Sequence, residues 1–230
     1  MVSIVYVCSS TPSAGKTVVA AALIRQLVQL GARPVGIKPI ELGVGYDEHH
    51  DLKGPDGDRL AAASPVQVPP LVRSPYRFTA RTTPWVAAER AGISLGLDDL
   101  VSTVETTKEY GGPVVVEGPG AAWSALAQDT VGLDLAERLG ATILLVVPER
   151  PGEEAAALGT LEGCRKRGLR IAGICRTQAG TPWTSAERSC FYAFAGARDL
   201  GATPLPIEDE AADQALAGLG AAVAEALAWP

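Results

Sequence analysis

A single α/β domain over residues 1–230, a parallel sheet with helices on both faces, is the fold this sequence predicts, and three observations predict it. Apolar runs recur with helix-length stretches between them, the rhythm of strands joined by crossover helices. Gly31, Gly140, Gly168 and Gly201 each follow a helical stretch and precede an apolar run, where a left-handed helix cap is wanted. The first apolar run also passes through Gly15-Lys16-Thr17 directly into a helical stretch.

The elements follow in order. The run at 4–8 is the first strand, and the first helix is expected at 16–30. A second run at 34–38 ends on Lys38. After a long irregular interval a helix is expected at 97–109, and Val114, Val115 and Val116 then build a strand, 114–117, that closes on Glu117. A helix at 131–139 leads to the run 142–147, where Ile143 and the four residues after it are all apolar, as suits a strand covered on both faces. Helix 153–167, strand 170–175, helix 185–199, the short run 202–205 and helix 209–228 complete the alternation. Glu208, Asp209 and Glu210 favour the N-terminus of that last helix. Two long intervals interrupt the rhythm. Residues 41–57 are polar and glycine-rich, and 64–84 carry Pro65, Pro69, Pro70, Pro75 and Pro84. Long connections in a compact domain are more often functional than idle. These two are expected at the carboxyl ends of the strands, where open α/β sheets bind ligands.

Composition narrows the function classes. A net charge of −6 lacks the basic footprint of a nucleic-acid binder. No run of eighteen apolar residues is present, so no membrane partner is expected. The N-terminal residues read as a strand rather than a signal peptide. Cys8, Cys164, Cys175 and Cys190 show no metal-finger spacing, and Cys8 and Cys175 sit in apolar runs as small hydrophobes. A reducing, cytoplasmic location is the expectation.

The joint between the first strand and helix reads Ser9-Ser10-Thr11-Pro12-Ser13-Ala14-Gly15-Lys16-Thr17-Val18, a phosphate-loop pattern with Ser9 where the leading glycine belongs. In such a loop, backbone N–H groups and the positive helix N-terminus cradle phosphates, the lysine reaches the β- and γ-phosphates, and the threonine hydroxyl ligates Mg²⁺. Ser13, Ala14, Gly15, Lys16, Thr17 and Val18 are therefore the expected contacts of ATP or another nucleoside triphosphate. Serine at position 9 costs about 1 kcal/mol if its torsion is positive and nothing otherwise. Lys38, at a strand's carboxyl end, is placed to stabilise developing negative charge. Asp58 is expected at a helix N-cap, where aspartate is common for local reasons. Glu117, followed by Gly118 and Gly120, is the expected second Mg²⁺ contact beside Thr17. His49 and His50 on a polar loop, and Arg150 after a strand, read as solvated side chains.

Taken together, Gly15-Lys16-Thr17, Lys38-Pro39, Gly43, Asp58, Ser74-Pro75-Tyr76-Arg77-Phe78, Thr83-Pro84 and Val116-Glu117-Gly118 with Gly120 resemble, in order and spacing, the dethiobiotin synthetase family of P-loop enzymes. The resemblance spans nearly the whole chain. It implies a single-domain P-loop NTPase fold and a homodimer. Lys16 and Thr17 would hold ATP and Mg²⁺, Asp58 and Glu117 would complete the metal site, and Lys16 and Lys38 would be the catalytic cations. The implied reaction joins a small-molecule vicinal diamine and CO₂ (or bicarbonate) into a cyclic urea through a phosphorylated carbamate. Pro12, Lys38, Leu42, Gly118, Pro119 and Gly120 would face the organic substrate, and Thr177 stands where the family's base-reading asparagine is expected.

Departures from the family cluster at the substrate. Pro12 replaces a hydroxyl residue, Leu42 a serine, Trp85 a histidine and Pro119 an alanine, and 151–156 have lost the family's asparagine-histidine segment. Phosphate and metal positions persist while substrate and base positions drift. Besides a dethiobiotin synthetase, this pattern allows a related ATP-dependent ligase with another acceptor, or a non-catalytic nucleotide-binding regulatory subunit.

Overall fold

A computed structural model describes residues 2–178 and 181–228. Strand β1 (Ile4–Ser9) enters helix α1 (Lys16–Gln29), and β2 (Val35–Ile37) follows. Next come β3 (Ile40–Leu42), α2 (Pro55–Ala63), the one-turn α3 (Pro70–Arg73), β4 (Tyr76–Phe78) and α4 (Pro84–Arg90). The chain continues through α5 (Leu97–Thr107), β5 (Val114–Glu117), the short antiparallel pair β6 (Ala125–Ala127) and β7 (Thr130–Val131), and α6 (Gly132–Arg138). It ends with β8 (Thr142–Pro148), α7 (Glu153–Lys166), β9 (Ile171–Gln178), α8 (Ser185–Ala195), β10 (Asp199–Pro204), α9 (Asp209–Ala215) and α10 (Leu219–Ala226).

The central sheet is parallel throughout, in the order β10-β9-β8-β1-β5-β2. Because side chains alternate along a strand, β1 feeds two cores. Ile4, Tyr6 and Cys8 pack with Leu100 of α5, Leu133 of α6 and Leu161 of α7. Val5 and Val7 pack with Leu23, Ile24 and Leu27 of α1 and Val223 of α10. The predicted fold class stands. From β1 the chain builds outward on one side through β5 and β2, and on the other through β8, β9 and β10. Loops after β1 and its neighbours therefore part at β1 and open a cleft at its carboxyl end.

All six predicted strands are present, with differences at the joints. Gly31, Gly140 and Gly168 carry φ of 87°, 58° and 65° at helix ends, whereas Gly201 lies inside β10. Gly196, with φ of 52°, ends α8, so the predicted helix stops at Ala195 rather than 199. The predicted helix at 209–228 is two helices, because Gly218 in the left-handed region starts α10. The intervals 41–57 and 64–84 are also structured. Ile40, Glu41 and Leu42 pair in parallel with Tyr76, Arg77 and Phe78, and α2 lies between those two strands in sequence. Among the described residues no helix is long and apolar enough to cross a membrane.

Candidate phosphate-loop site

The loop after β1 explains its missing glycine. Ser9 is the last residue of the strand, in extended backbone, so a β-carbon there causes no strain. The positive torsions fall instead on Ser13 (φ 56°) and Gly15 (φ 83°). Ser9 also adds contacts that glycine lacks: its hydroxyl donates to the Thr11 carbonyl at 2.5 Å and accepts from Lys16 Nζ at 3.0 Å. Gly15 is required on two counts, since beside its positive φ a β-carbon would come within 2.6 Å of Leu205 Cδ1. The loop tip is tied down by α7. Thr11 Oγ1 lies 2.9 and 3.0 Å from the two carboxylate oxygens of Glu153, and Arg150 donates to the same carboxylate at 2.9 Å. Arg150 is thus a brace behind the loop rather than a free surface cation.

Two lysines and two carboxylates converge below the loop. Glu117, 1% exposed at the end of β5, accepts through Oε1 from Thr17 Oγ1 at 3.0 Å and from Lys38 Nζ at 2.8 Å. Lys38 also donates to Asp56. Burial pulls Lys38 down, but Glu117 and Asp56 together outweigh it and hold the ammonium above the ordinary lysine range. Lys16 has no such partner. It donates to Ser9 and, at 2.6 Å, to the Gly120 carbonyl, and burial leaves its pKa below the ordinary value, with Glu117 only partly offsetting that. A buried ammonium held by neutral oxygens suits an incoming anion. Glu117 Oε2 is buried without a hydrogen-bond partner. An orphaned carboxylate oxygen beside the Thr17 hydroxyl fits a hard divalent cation. Among the described residues no three His, Cys, Asp or Glu side chains form a metal cage. That matches Mg²⁺, which is commonly held by one or two carboxylates, waters and substrate phosphates.

The loop, α2 and the segment after β4 enclose a cavity of about 890 Å³. Of the residues singled out from sequence, it brings together Pro12, Ser13, Ala14, Gly15, Lys16, Thr17, Val18, Lys38, Leu42, Glu117 and Gly120. Four others need correction. Asp58 is not in the lining: its carboxylate pairs with Arg73, and the first-turn aspartate that faces Lys38 is Asp56. The expected N-cap role fails too, because Gly54 occupies that position and Pro55 begins the helix. Thr177 is fully buried, and its hydroxyl donates to the Ala14 carbonyl at 2.8 Å, so it anchors the loop instead of reading a base. Gly118 faces Tyr6, where a β-carbon would lie 2.7 Å from the phenol oxygen, and its N–H donates to Val7. Pro119 is likewise outside the lining.

Sequence reasoning missed Asp56, Arg59, Arg81, Ser124, Leu205 and Pro206, all of which line the cavity. Pro55 was the available signal for Asp56, since proline favours the first helical position and so puts Asp56 in the first turn. Glu41 was missed as well. It is buried, and its carboxylate accepts from the N–H groups of Asp56 and Gly57, both at 3.1 Å, and from Ser74 Oγ at 2.6 Å. A strand residue thereby caps α2 from a distance and sets where Asp56 stands.

Comparison with solved structures agrees with this architecture. The Pyrococcus furiosus cell division ATPase MinD superposes with a TM-score of 0.60 at 16% identity, covering 98% of this chain and 99% of that one. MinD from Pyrococcus horikoshii, solved with Mg-ADP, gives 0.57 at 15% identity, covering 94% and 87%. A ParA family ATPase from Chlorobium tepidum gives 0.52 at 17%, covering 98% and 94%. At these identities the likeness is one of fold. The family model for the AAA domain, AAA_26, matches residues 4–205. The chain therefore belongs to this AAA domain family of P-loop NTPases.

Proposed function

We propose that the protein is an ATP- and Mg²⁺-dependent cyclo-ligase of the dethiobiotin synthetase type, closing a cyclic urea from a vicinal diamine and CO₂. The observation that carries the reading is the Lys38 ammonium bridged between Glu117 and Asp56, in one cavity with Lys16. A cation on the acceptor side of a phosphate loop suits a reaction in which an acceptor anion meets a phosphoryl group. The Mg-ADP in the Pyrococcus horikoshii neighbour agrees with a nucleotide and Mg²⁺ at this site. The expected assembly is a homodimer.

In this reading one amine adds to CO₂ and loses a proton, giving a carbamate whose charge Lys38 steadies. Lys16 holds the β- and γ-phosphate oxygens while a carbamate oxygen displaces ADP from the γ-phosphorus. The second amine attacks the carbamoyl carbon, phosphate leaves, and a proton is lost as the ring closes. Mg²⁺, when bound by Thr17, Glu117 and Asp56, would neutralise phosphate charge. The protein's share is positioning and fixed charge rather than covalent chemistry. Pro12 and Leu42 in the lining favour a second reading, a ligase of the same chemistry with a different acceptor. The MinD and ParA neighbours favour a third, a nucleotide-dependent module without an organic substrate. Phosphate release from ATP with diaminopelargonate and bicarbonate, each omitted in turn, tests the proposal. Release that needs both supports it. Release with a different amine or carboxylate substrate moves the assignment to the second reading, and release indifferent to either substrate moves it to the third.

A further inference from the structure

The cavity holds four cations, and three have evident engagements. Lys38 bridges Glu117 and Asp56, Arg59 pairs with Asp209 on α9, and Lys16 sits in the phosphate loop. Arg81 is the fourth, and among the described residues no carboxylate lies within ion-pair reach of it. Its position is built rather than incidental. The parallel pairing of β3 and β4 runs on past both strands, with Gly43 N–H donating to the Ala80 carbonyl at 3.2 Å and Val44 N–H to Phe78 at 3.1 Å. The exposed Arg81 side chain then passes over Gly43, where a β-carbon would stand 2.5 Å from Arg81 Cγ and 3.0 Å from Nε. Gly43 has φ of 69°, so both its torsion and the arginine exclude a side chain there. Between Lys38 and Gly43 in sequence, the residues that line the cavity are Ile40 and Leu42, both apolar. The cavity wall thus presents a cation, an apolar stretch and a second cation.

We propose that Arg81 receives a carboxylate at the end of the acceptor remote from the reacting amines, with an aliphatic spacer lying on Ile40 and Leu42. A planar guanidinium matches a carboxylate with two parallel hydrogen bonds, which a lysine cannot reproduce. The assignment rests on the ligase reading for the identity of the acceptor, but Arg81 as an anion receptor stands on the cavity itself. A nucleotide phosphate is the rival anion.

Calorimetry separates these cases, using wild type, Arg81→Gln and Arg81→Lys, each with a non-hydrolysable ATP analogue present. The ligands are diaminopelargonate and the same diamine with a methyl group in place of the carboxylate. Wild type is expected to prefer the carboxylate ligand at least ten-fold, Arg81→Gln to reduce that preference below two-fold, and Arg81→Lys to fall between. Affinity for the ATP analogue alone is expected to change less than two-fold in both variants. A preference that survives Arg81→Gln overturns the assignment, and so does an equal loss of ATP-analogue affinity, which would give Arg81 to the nucleotide. If neither diamine binds wild type, the ligase reading fails separately, and nonanoate decides. Nonanoate binding that Arg81→Gln abolishes supports the anion receptor, and no nonanoate binding to wild type overturns it.

Discussion

The two walls of the cavity are built in different ways. The phosphate wall comes from consecutive residues: one strand, a six-residue turn and the start of one helix, set by backbone torsions and braced from behind by Glu153 and Thr177. The opposite wall, which the ligase reading gives to the acceptor, is assembled from pieces far apart in sequence. Lys38, Asp56 and Arg81 reach it from separate segments, and Glu41 and Gly43 position two of them. In a wall of the first kind the groups that meet the ligand come from neighbours in the chain. A wall of the second kind depends on side chains that never touch it. Nucleotide binding and acceptor chemistry should therefore respond differently to mutation.

The largest effect on nucleotide binding is expected on the phosphate wall. Lys16→Ala removes the one ammonium in the loop, and charge-assisted contacts of this kind are worth roughly 10- to 100-fold in affinity. Calorimetry with ATP should show that loss, while the fold, relieved of a buried cation, stays intact. The same residue gives a pH signature. Its pKa is depressed by burial, so nucleotide affinity should begin to fall at a lower pH than an ordinary lysine would allow. The sign for stability is opposite. Below the ordinary lysine pKa the unfolded chain binds the proton more tightly, so Lys16's contribution makes stability rise with pH across the window between the depressed and ordinary values.

Lys38→Ala belongs to the other wall. Turnover should fall by about 10²–10³-fold, the scale of losing a fixed charge at a reacting centre, with nucleotide affinity within about threefold. Equal loss of both would place Lys38 on the nucleotide instead. Some stability should be lost as well, because Glu117 is left buried without its cation.

The same contrast governs what the sequence disclosed. Strand, loop and helix are local events, and the six apolar runs, the Gly-Lys-Thr joint and the lining residues from Pro12 to Val18 were readable from neighbours in the chain. Lys38 and Glu117 were readable because each ends a buried strand at the carboxyl edge of the sheet. Asp58 was mistaken for Asp56 because the choice depends on where α2 starts. That start is set by Glu41, fifteen and sixteen residues from the groups it holds. Thr177 was misread because its hydroxyl partner, the Ala14 carbonyl, is 163 residues away. Arg81 gave no signal, since nothing local marks an arginine as lying across a distant glycine.

Glu41 offers the next test in size. Glu41→Ala leaves the first-turn N–H groups of Asp56 and Gly57 without their acceptor, at a cost of about 2 kcal/mol in urea unfolding. Turnover should fall with it, because Asp56 loses its anchor, while ATP affinity holds. Glu41→Gln keeps one acceptor oxygen and should lose less of both. If Glu41→Ala weakened ATP binding as strongly as turnover, the two walls would not be separable.

The smallest effect is the sharpest comparison, since it concerns two aspartates two residues apart. Asp58 is 64% exposed and pairs with Arg73, and Asp56 is 41% exposed and pairs with Lys38. Asp58→Asn should change stability by no more than about 1 kcal/mol, as for exposed ion pairs generally, and leave the Mg²⁺ dependence of turnover where it was. Asp56→Asn should move that dependence to higher Mg²⁺, because it removes one of the two carboxylates that line the cavity with Thr17. Titrating Mg²⁺ against phosphate release for both variants reads the difference directly. A shift with Asp58→Asn and none with Asp56→Asn would mean that α2 turns its other face to the bound nucleotide, and the wall opposite the phosphate loop would have to be redrawn from Glu41 outward.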